Sequence, residues 1–452
     1  MASFQDRLLY SIPGGAHTYS RGFDQFSSNA LQILERGKGA YVYDPGGQGF
    51  LDYGMALRAV TLGYSNDDVN TAAFRQIANG NNLTRPSMIE LEAAELLIDL
   101  IPSADMVKFA KNGSNVTTAA VKLARAFTGR PYVCIPRQQP FFSFDDWFIG
   151  TTAIKKGIPS EHYKWTLNFD YGNIDSLERL FQKNSEQIAA VMLEPATSDI
   201  PCPPECNQDL GWDSPCKTCD RRSQNFLVQV QDLCRKHDTL FILDEMISGF
   251  RWDLRGAQNY FGVVPDMSTF GKAMANGFSL SALTGRRDIM EYGSIKQQGQ
   301  ERTFLLSSTH GAEMSSLGAF IETVNKYKSH NVCRHLWEYG DGLRKMFDDL
   351  SKEIGIEDYF VLYGPSISMS YSLLDKTGKP SPELRTLFQQ EMIKSNVLMP
   401  WISISYSHGK KELDITYEAA KKALATVANA IESDVLCFLE GDPVKPVFRQ
   451  YN

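Results

Sequence analysis

Hydrophobic residues follow two alternating rhythms along the chain. Unbroken apolar runs of strand length occur at Tyr132-Val133-Cys134-Ile135, at Ile188-Ala189-Ala190-Val191-Met192-Leu193 and at Phe241-Ile242-Leu243. Between them lie stretches patterned near a 3.6-residue period, as at Leu91, Ala94, Leu96 and Leu97. A continuous apolar run bounded by polar residues reads as a strand buried on both faces. Its alternation with helical periods predicts a mostly parallel sheet joined by helical crossovers. Two of the runs end in acids, Leu193 in Glu194-Pro195 and Leu243 in Asp244-Glu245. Ligands of such sheets bind beyond the carboxyl ends of the strands, so these acids are expected at the mouth of a crevice.

The same pattern fills in the rest of the chain. Residues 40–44 and 50–53 read as a hairpin around the turn Pro45-Gly46-Gly47-Gln48-Gly49. Residues 65–100 read as two helical pieces broken before Pro86, and Pro102 stops the second. A strand through Val107–Ala110 enters Asn112-Gly113-Ser114 and then a helix from Ala119 to Ala126, closed by Gly129. Small residues from Gly277 to Gly285 suggest a further strand, and Phe304-Leu305-Leu306 another, ending in the hydroxyls of Ser307, Ser308 and Thr309. Helices are expected over 312–328, 331–353, 378–395 and about 415–434. Short strands are expected between Tyr359 and Leu374 and from Val397 to Ser405. This tail is an α+β segment distinct from the sheet before it.

Composition narrows the partners. The 452 residues are 43% hydrophobic and 22% charged, the balance of an ordinary globular protein. A net charge of −7 provides no electrostatic footprint for nucleic acid or an acidic membrane surface. The first residues lack a basic flank followed by an apolar core, and no apolar run approaches the roughly 20 residues of a membrane span. The expectation is a soluble, cytoplasmic protein acting on small molecules.

Against that background, Lys272 stands out. It follows Gly271 at the end of an apolar segment, 28 residues after Asp244. A buried aspartate with a loop lysine suits pyridoxal phosphate: the amine holds the cofactor aldehyde covalently, and the carboxylate keeps the ring nitrogen protonated. The plain alternative is a strand-capping acid and an unrelated surface lysine. Gly113-Ser114 at a helix N-terminus is a phosphate cradle or a simple N-cap. The aromatic loop from Pro140 to Phe148 stacks on a flat cofactor or packs in the core. Arg21 and Arg58, flanking the hairpin, are solvated charges or clamps for an anionic substrate. Cys202, Cys206, Cys216 and Cys219, spaced C-x3-C and C-x2-C, are a structural zinc set stapling a loop or four free thiols. Cys134, Cys234, Cys333 and Cys437 lie in apolar segments and are expected in the core.

Taken together these segments resemble the class III pyridoxal-phosphate-dependent aminotransferases, in particular the branch containing glutamate-1-semialdehyde 2,1-aminomutase. The resemblance is carried by Pro13-Gly14-Gly15, the segment Glu35–Asp44, Asn112-Gly113-Ser114, Glu194-Pro195, Leu243–Arg251 and Phe270-Gly271-Lys272. It implies the fold type I transferase architecture. A large α/β domain with a seven-stranded, mainly parallel sheet would span 63–315, with the cysteine insertion at about 200–222. A smaller α+β domain would be built from 1–62 and 316–452. It implies a homodimer with active sites at the interface. Lys272 would be the covalent anchor and proton shuttle, Asp244 the partner of the ring nitrogen, and Met246 the residue under the ring. Gly113 and Ser114 would hold the phosphate, Ser308 and Thr309 would reach a phosphate, in the case of Thr309 that of the neighbouring subunit, Phe141 would stack on the cofactor, and Glu194 would support the site. Arg21 would meet a substrate carboxylate.

Four departures bear on the substrate. Phe141-Phe142-Ser143 stands where the family has Tyr-His-Gly, and Asn115 follows Gly113-Ser114 where a glutamate is usual. Leu57, beside Arg58, replaces a tryptophan, and Pro400 replaces the glutamate that the aminomutase branch carries ahead of its Ser-x-x-His segment, here Ser405 to His408. The expected activity is transfer of an amino group from an amino-acid donor to an aldehyde or ketone acceptor of anionic or sugar-like character. An intramolecular aminomutase is the first alternative, and a non-catalytic metal-binding scaffold the second.

Overall fold

The computed structural model describes residues 2–206, 210–296 and 298–451. The chain forms two compact units, one of residues 67–334 with the last three residues, the other of residues 1–66 and 335–449. The division expected from the resemblance lay at 62/63 and 315/316; in the structure the helix Met314–His330 belongs with the larger unit, where it packs on the helix Asp67–Ala78.

The larger unit is built on seven strands: β1 Met106–Ala110, β2 Tyr132–Pro136, β3 Thr166–Phe169, β4 Ile188–Leu193, β5 Leu240–Asp244, β6 Met267–Phe270 and β7 Ser281–Gly285. Their spatial order is β1-β7-β6-β5-β4-β2-β3, and only β7 runs against the others. Every residue of β4, β5 and β6 is buried, which is why these strands carry no alternation in the sequence. The helix α1, Gly113–Thr128, lies against the sheet through Val116, Ala119, Ala120, Leu123 and Ala124. It starts six residues before Ala119, because Asn112 caps it and the small polar residues that read as a loop form its first turn. Gly129 ends it at φ +69°, as expected of a left-handed C-terminal glycine.

Other expectations need correction. Phe304–Leu306 is not a strand: Phe304 is exposed, and its carbonyl takes a hydrogen bond from Lys122 Nζ (2.8 Å) instead of a neighbouring strand. Only Val397–Leu398 of the segment 397–405 is strand, paired to Leu51 and Asp52. Cys437 is exposed, at the surface of a short 3-10 turn, whereas Cys134, Cys234 and Cys333 are buried as expected. Among the described residues no helix is long and apolar enough to cross a membrane.

The smaller unit holds the hairpin of Tyr41–Tyr43 and Gly49–Asp52. Directly after it comes a backbone device invisible in the residue pattern. Met55, Ala56, Leu57 and Arg58 all lie at positive φ, between +40° and +68°. Each such non-glycine residue costs about 1–2 kcal/mol, so the surroundings must over-determine the turn. They do. The buried Asp52 carboxylate accepts from Gly54 N (2.6 Å), Met55 N (3.1 Å) and Tyr64 Oη (2.6 Å), while Trp401 Nε1 donates to Gly54 O (3.1 Å). Removing that acceptor leaves two amides and a phenol without their partner. Asp52→Ala is therefore expected to lower the unfolding free energy by about 3 kcal/mol, read by denaturant unfolding; a loss within 0.5 kcal/mol, as at an ordinary surface position, would mean the turn stands without it.

Candidate active site

The site forms where four segments of the larger unit meet at the carboxyl end of the sheet. Asp244 is the last residue of β5 and is 1% exposed. Its Oδ1 accepts from the Met246 amide (3.0 Å) and from Thr269 Oγ1 (2.9 Å), which lies opposite it on β6. Burial pushes the Asp244 carboxyl up to about 6, against the opposing pull of the Met246 amide, the nearby Lys272 charge and the Thr269 hydroxyl. The neighbouring Glu245 has partners of its own, Ser248 Oγ, Ala257 N and both nitrogens of Gln258, and burial raises it to about 7. The two adjacent acids thus divide the labour: Glu245 ties down the segment that follows, and Asp244 remains at the strand end.

Lys272 opens the turn Lys272–Ala275 directly after β6 and Gly271. Met246 joins this turn to the others. A methyl group on Gly113 or on Gly271 would run into the Met246 sulfur. Gly271 is needed for that space, since its φ of −170° suits any residue. The end of β5, the N-terminus of α1 and the lysine turn therefore share one close-packed junction.

At that N-terminus, Asn112 Oδ1 accepts from Asn115 N (3.1 Å). The Lys111 and Asn112 carbonyls are held by the hydroxyls of Ser279 (2.6 Å) and Ser281 (2.8 Å). Ser114 is buried, and its Oγ accepts from Phe144 N (3.0 Å), leaving its own proton to donate. The aromatic loop is pinned to the same helix by Thr117 Oγ1 donating to Phe142 O (2.8 Å) and by Thr118 Oγ1 donating to Asp145 Oδ2 (2.5 Å). Its first two phenylalanines separate: Phe142 enters the core, and Phe141 is 45% exposed. Glu194, just past β4, is buried, and its backbone N–H and C=O are both paired with the side-chain amide of Gln139 (2.8 and 2.9 Å).

Asp244, Met246, Gly113, Ser114 and Lys272 are thus brought together, with Phe141 on the loop bound to the same helix. Ser308 and Thr309 lie in an exposed irregular segment of the same unit, where the Thr309 carbonyl accepts from Asn82 Nδ2 (2.9 Å). Arg21 and Arg58 belong to the smaller unit. Arg21 lies on the wall of a cavity of about 820 Å³ in that unit, with Asp52, Ala56, Leu57, Tyr64 and Trp401; Arg58 closes the left-handed turn and is not on that wall. Thr269 and Gln139 were not legible in the sequence. Thr269 had the weak signal of a polar residue inside an apolar strand three positions before the lysine, and Gln139 had none.

The zinc reading of the cysteine insertion gains no support. Among the described residues no group of three or more His, Cys, Asp or Glu is arranged to hold a metal ion. Cys202, Cys206, Cys216 and Cys219 are free thiols, and Cys202 approaches Cys216 at 3.5 Å as a thiol–thiol hydrogen bond.

A mostly parallel sheet with a buried acid and a loop lysine at its carboxyl edge defines a class, and comparison with known proteins agrees. The family model for class III aminotransferases matches residues 23–205 and 220–358, so the chain belongs to the class III aminotransferase family and is an enzyme of that class. The gap in the match, 206–219, falls inside the cysteine insertion. The chain is 27% identical over 448 residues to a glutamate-1-semialdehyde 2,1-aminomutase of Salinibacter ruber, covering 94% of this chain and 96% of the relative. It is 28% identical over 426 residues to a 3-aminobutyryl-CoA aminotransferase of Cloacimonas acidaminovorans, covering 92% and 94%. Among solved structures, the FumI protein of Sphingopyxis sp. MTA144 superposes with a TM-score of 0.83 at 23% identity over 95% of this chain and 97% of that one. An omega-transaminase from Sphaerobacter thermophilus gives 0.78 at 22% identity over 94% and 97%. The architecture is that of the fold type I transferases.

Proposed function

We propose that the protein uses pyridoxal phosphate to move an amino group from an amino-acid donor to an aldehyde or ketone acceptor. The observation that carries this reading is the shared junction of Asp244, Met246, the N-terminus of α1 and the Gly271-Lys272 turn. The residues fit the cofactor. The first-turn amides of α1 and the Ser114 hydroxyl suit a phosphate, Asp244 suits a protonated ring nitrogen, and Met246 and Phe141 suit the two faces of a flat ring. When bound, pyridoxal phosphate supplies an aldehyde that carries the amino group and a ring that accepts an electron pair. The protein's part is positional and acid–base. Lys272 Nζ would carry a proton between the substrate carbon and the cofactor carbon that receives the amino group. Asp244 would pair as an anion with the ring nitrogen, and Glu194, held by Gln139, would support the edge of the crevice.

Partners follow from surface features of the larger unit. Phe74, Ile77, Met88 and Leu91 are all more than 45% exposed on the successive helices Asp67–Ala78 and Met88–Leu100. Such apolar exposure, with the open segment at Ser308 and Thr309, supports a homodimer in which Thr309 serves the neighbouring subunit's phosphate. A monomer in sedimentation of the loaded enzyme would remove that part of the reading.

A donor-dependence assay separates the two enzymatic readings. An aminotransferase consumes a keto or aldehyde acceptor and returns the keto form of its donor, whereas an aminomutase isomerises one compound with no second substrate. Pro400 and Leu57 both line the cavity that holds Arg21, so two of the four departing positions sit together, the other two, Asn115 and residues 141–143, belonging to the larger unit. This favours the intermolecular reaction with a different, anionic acceptor. Isomerisation of glutamate-1-semialdehyde without an added donor or acceptor would reverse the choice.

A further inference from the structure

The cysteine insertion has no part in the chemistry above, yet its four thiols all face one cavity of about 190 Å³. Within it Cys202 and Cys216 stand 3.5 Å apart and both are buried, while Cys206 and Cys219 interact with each other. Asn225 fixes what surrounds the first pair. Its Oδ1 is committed to capping the helix Phe226–Lys236 by accepting from Leu227 N (2.8 Å). Its amide nitrogen is thereby turned to the sulfurs, donating to Cys216 Sγ at 3.1 Å and reaching Cys202 Sγ at 3.6 Å. A fully buried amide donor directed at sulfur stabilises that sulfur as an anion, and the Arg222 charge acts in the same sense.

We propose that Cys202 and Cys216 form a redox-active dithiol that reacts with low-molecular-weight disulfides, Cys216 attacking and Cys202 resolving. The Cys216 thiolate attacks one sulfur of the external disulfide. That S–S bond breaks, and one thiolate leaves and takes up a proton. Cys202 then gives its proton to solvent and attacks Cys216 Sγ in the mixed disulfide, expelling the second thiol. Two protein thiols lose two electrons and two protons, and the external disulfide becomes two thiols. The sulfurs move together by about 1.5 Å to reach bonding distance. Cys216 is the attacking member on two grounds of geometry: it accepts the thiol–thiol hydrogen bond from Cys202, and the Asn225 amide lies nearer to it, at 3.1 Å against 3.6 Å; these donors and the Arg222 charge lower its thiol against desolvation. Cys202 is shifted the opposite way, chiefly by that same hydrogen bond, and so remains the protonated partner. This inference does not depend on the transaminase reading.

The test equilibrates the full-length protein with defined ratios of oxidised to reduced glutathione, traps thiols by alkylation and maps the peptides, with zinc measured in the same sample. The expected result is a Cys202–Cys216 disulfide, lower in mass by two hydrogens and reopened by reduced glutathione. Cys206→Ser should still close it, and Cys202→Ser should stall with glutathione on Cys216. Should either variant fail to fold, the wild-type map alone decides. Four freely alkylated thiols at every ratio, a disulfide in another pairing, or stoichiometric zinc with thiols silent until chelation would each overturn the proposal.

Discussion

Lys272→Ala is expected to lower turnover by about ten-thousand-fold or more, because one side chain serves as both covalent anchor and proton carrier. The substitution should leave the fold intact. Lys272 is only partly buried and opens a short 3-10 turn, while its neighbours Ala273, Met274 and Ala275 supply the packing. Removing its ammonium also removes a charge that lowers the Asp244 carboxyl, so that acid should titrate higher in the variant. Two measurements belong together: single-turnover rates with donor in excess, and the visible absorbance of the purified protein. The variant should lose the covalent cofactor signal and still take up pyridoxamine phosphate, which needs no anchor. Wild-type turnover in the variant would end the assignment of this lysine.

The sheet was legible because its central strands are buried on both faces. Ile188–Leu193 and Leu240–Asp244 are continuous apolar runs with an acid at the end, and burial of every residue leaves nothing else for such a run to be. Asp244 and Lys272 were legible for the same reason, as polar residues that interrupt apolar segments. What failed depended on long-range partners. Phe304–Leu306 has the composition of a strand but, among the described residues, pairs with no neighbouring strand. The left-handed turn at Met55–Arg58 contains no glycine to announce it, since it is imposed by Asp52, Tyr64 and Trp401, the last more than three hundred residues away. The cysteine spacing suggested a metal, but spacing does not specify which sulfurs approach, and Asn225 lies outside the motif altogether. Gln139, which clamps both backbone groups of Glu194, sits in a loop with no period from which to infer a direction.

Asp244→Asn should cost roughly a hundred- to a thousand-fold in turnover, the usual loss when a preorganised charge partner is removed. The replacement keeps the shape and can still accept from the Met246 amide and Thr269 Oγ1, so what is removed is the negative charge. Two further readouts distinguish this from simple damage. In the cofactor-free protein the carboxyl sits at about 6, above its ordinary value of 3.8, because burial disfavours the anion. The folded state then holds its proton longer than the unfolded chain does. The associated stability is fully present below pH 3.8 and is lost as pH rises through about 6. The loss at pH 7 is on the order of 3 kcal/mol, and the neutral asparagine does not incur it. The cofactor-free variant should therefore be more stable than the wild type at pH 7 and no more stable at pH 4. Cofactor affinity should move the other way. A cationic ring nitrogen favours the Asp244 anion, so the wild type should bind pyridoxal phosphate more weakly as pH falls below about 6, and the variant should lack that dependence. A variant that is less stable at pH 7 and keeps the wild-type pH profile of binding would show Asp244 to be a packing residue. The combination of higher stability with lost turnover would show that the fold gives up stability to keep a charge at the end of its central strand.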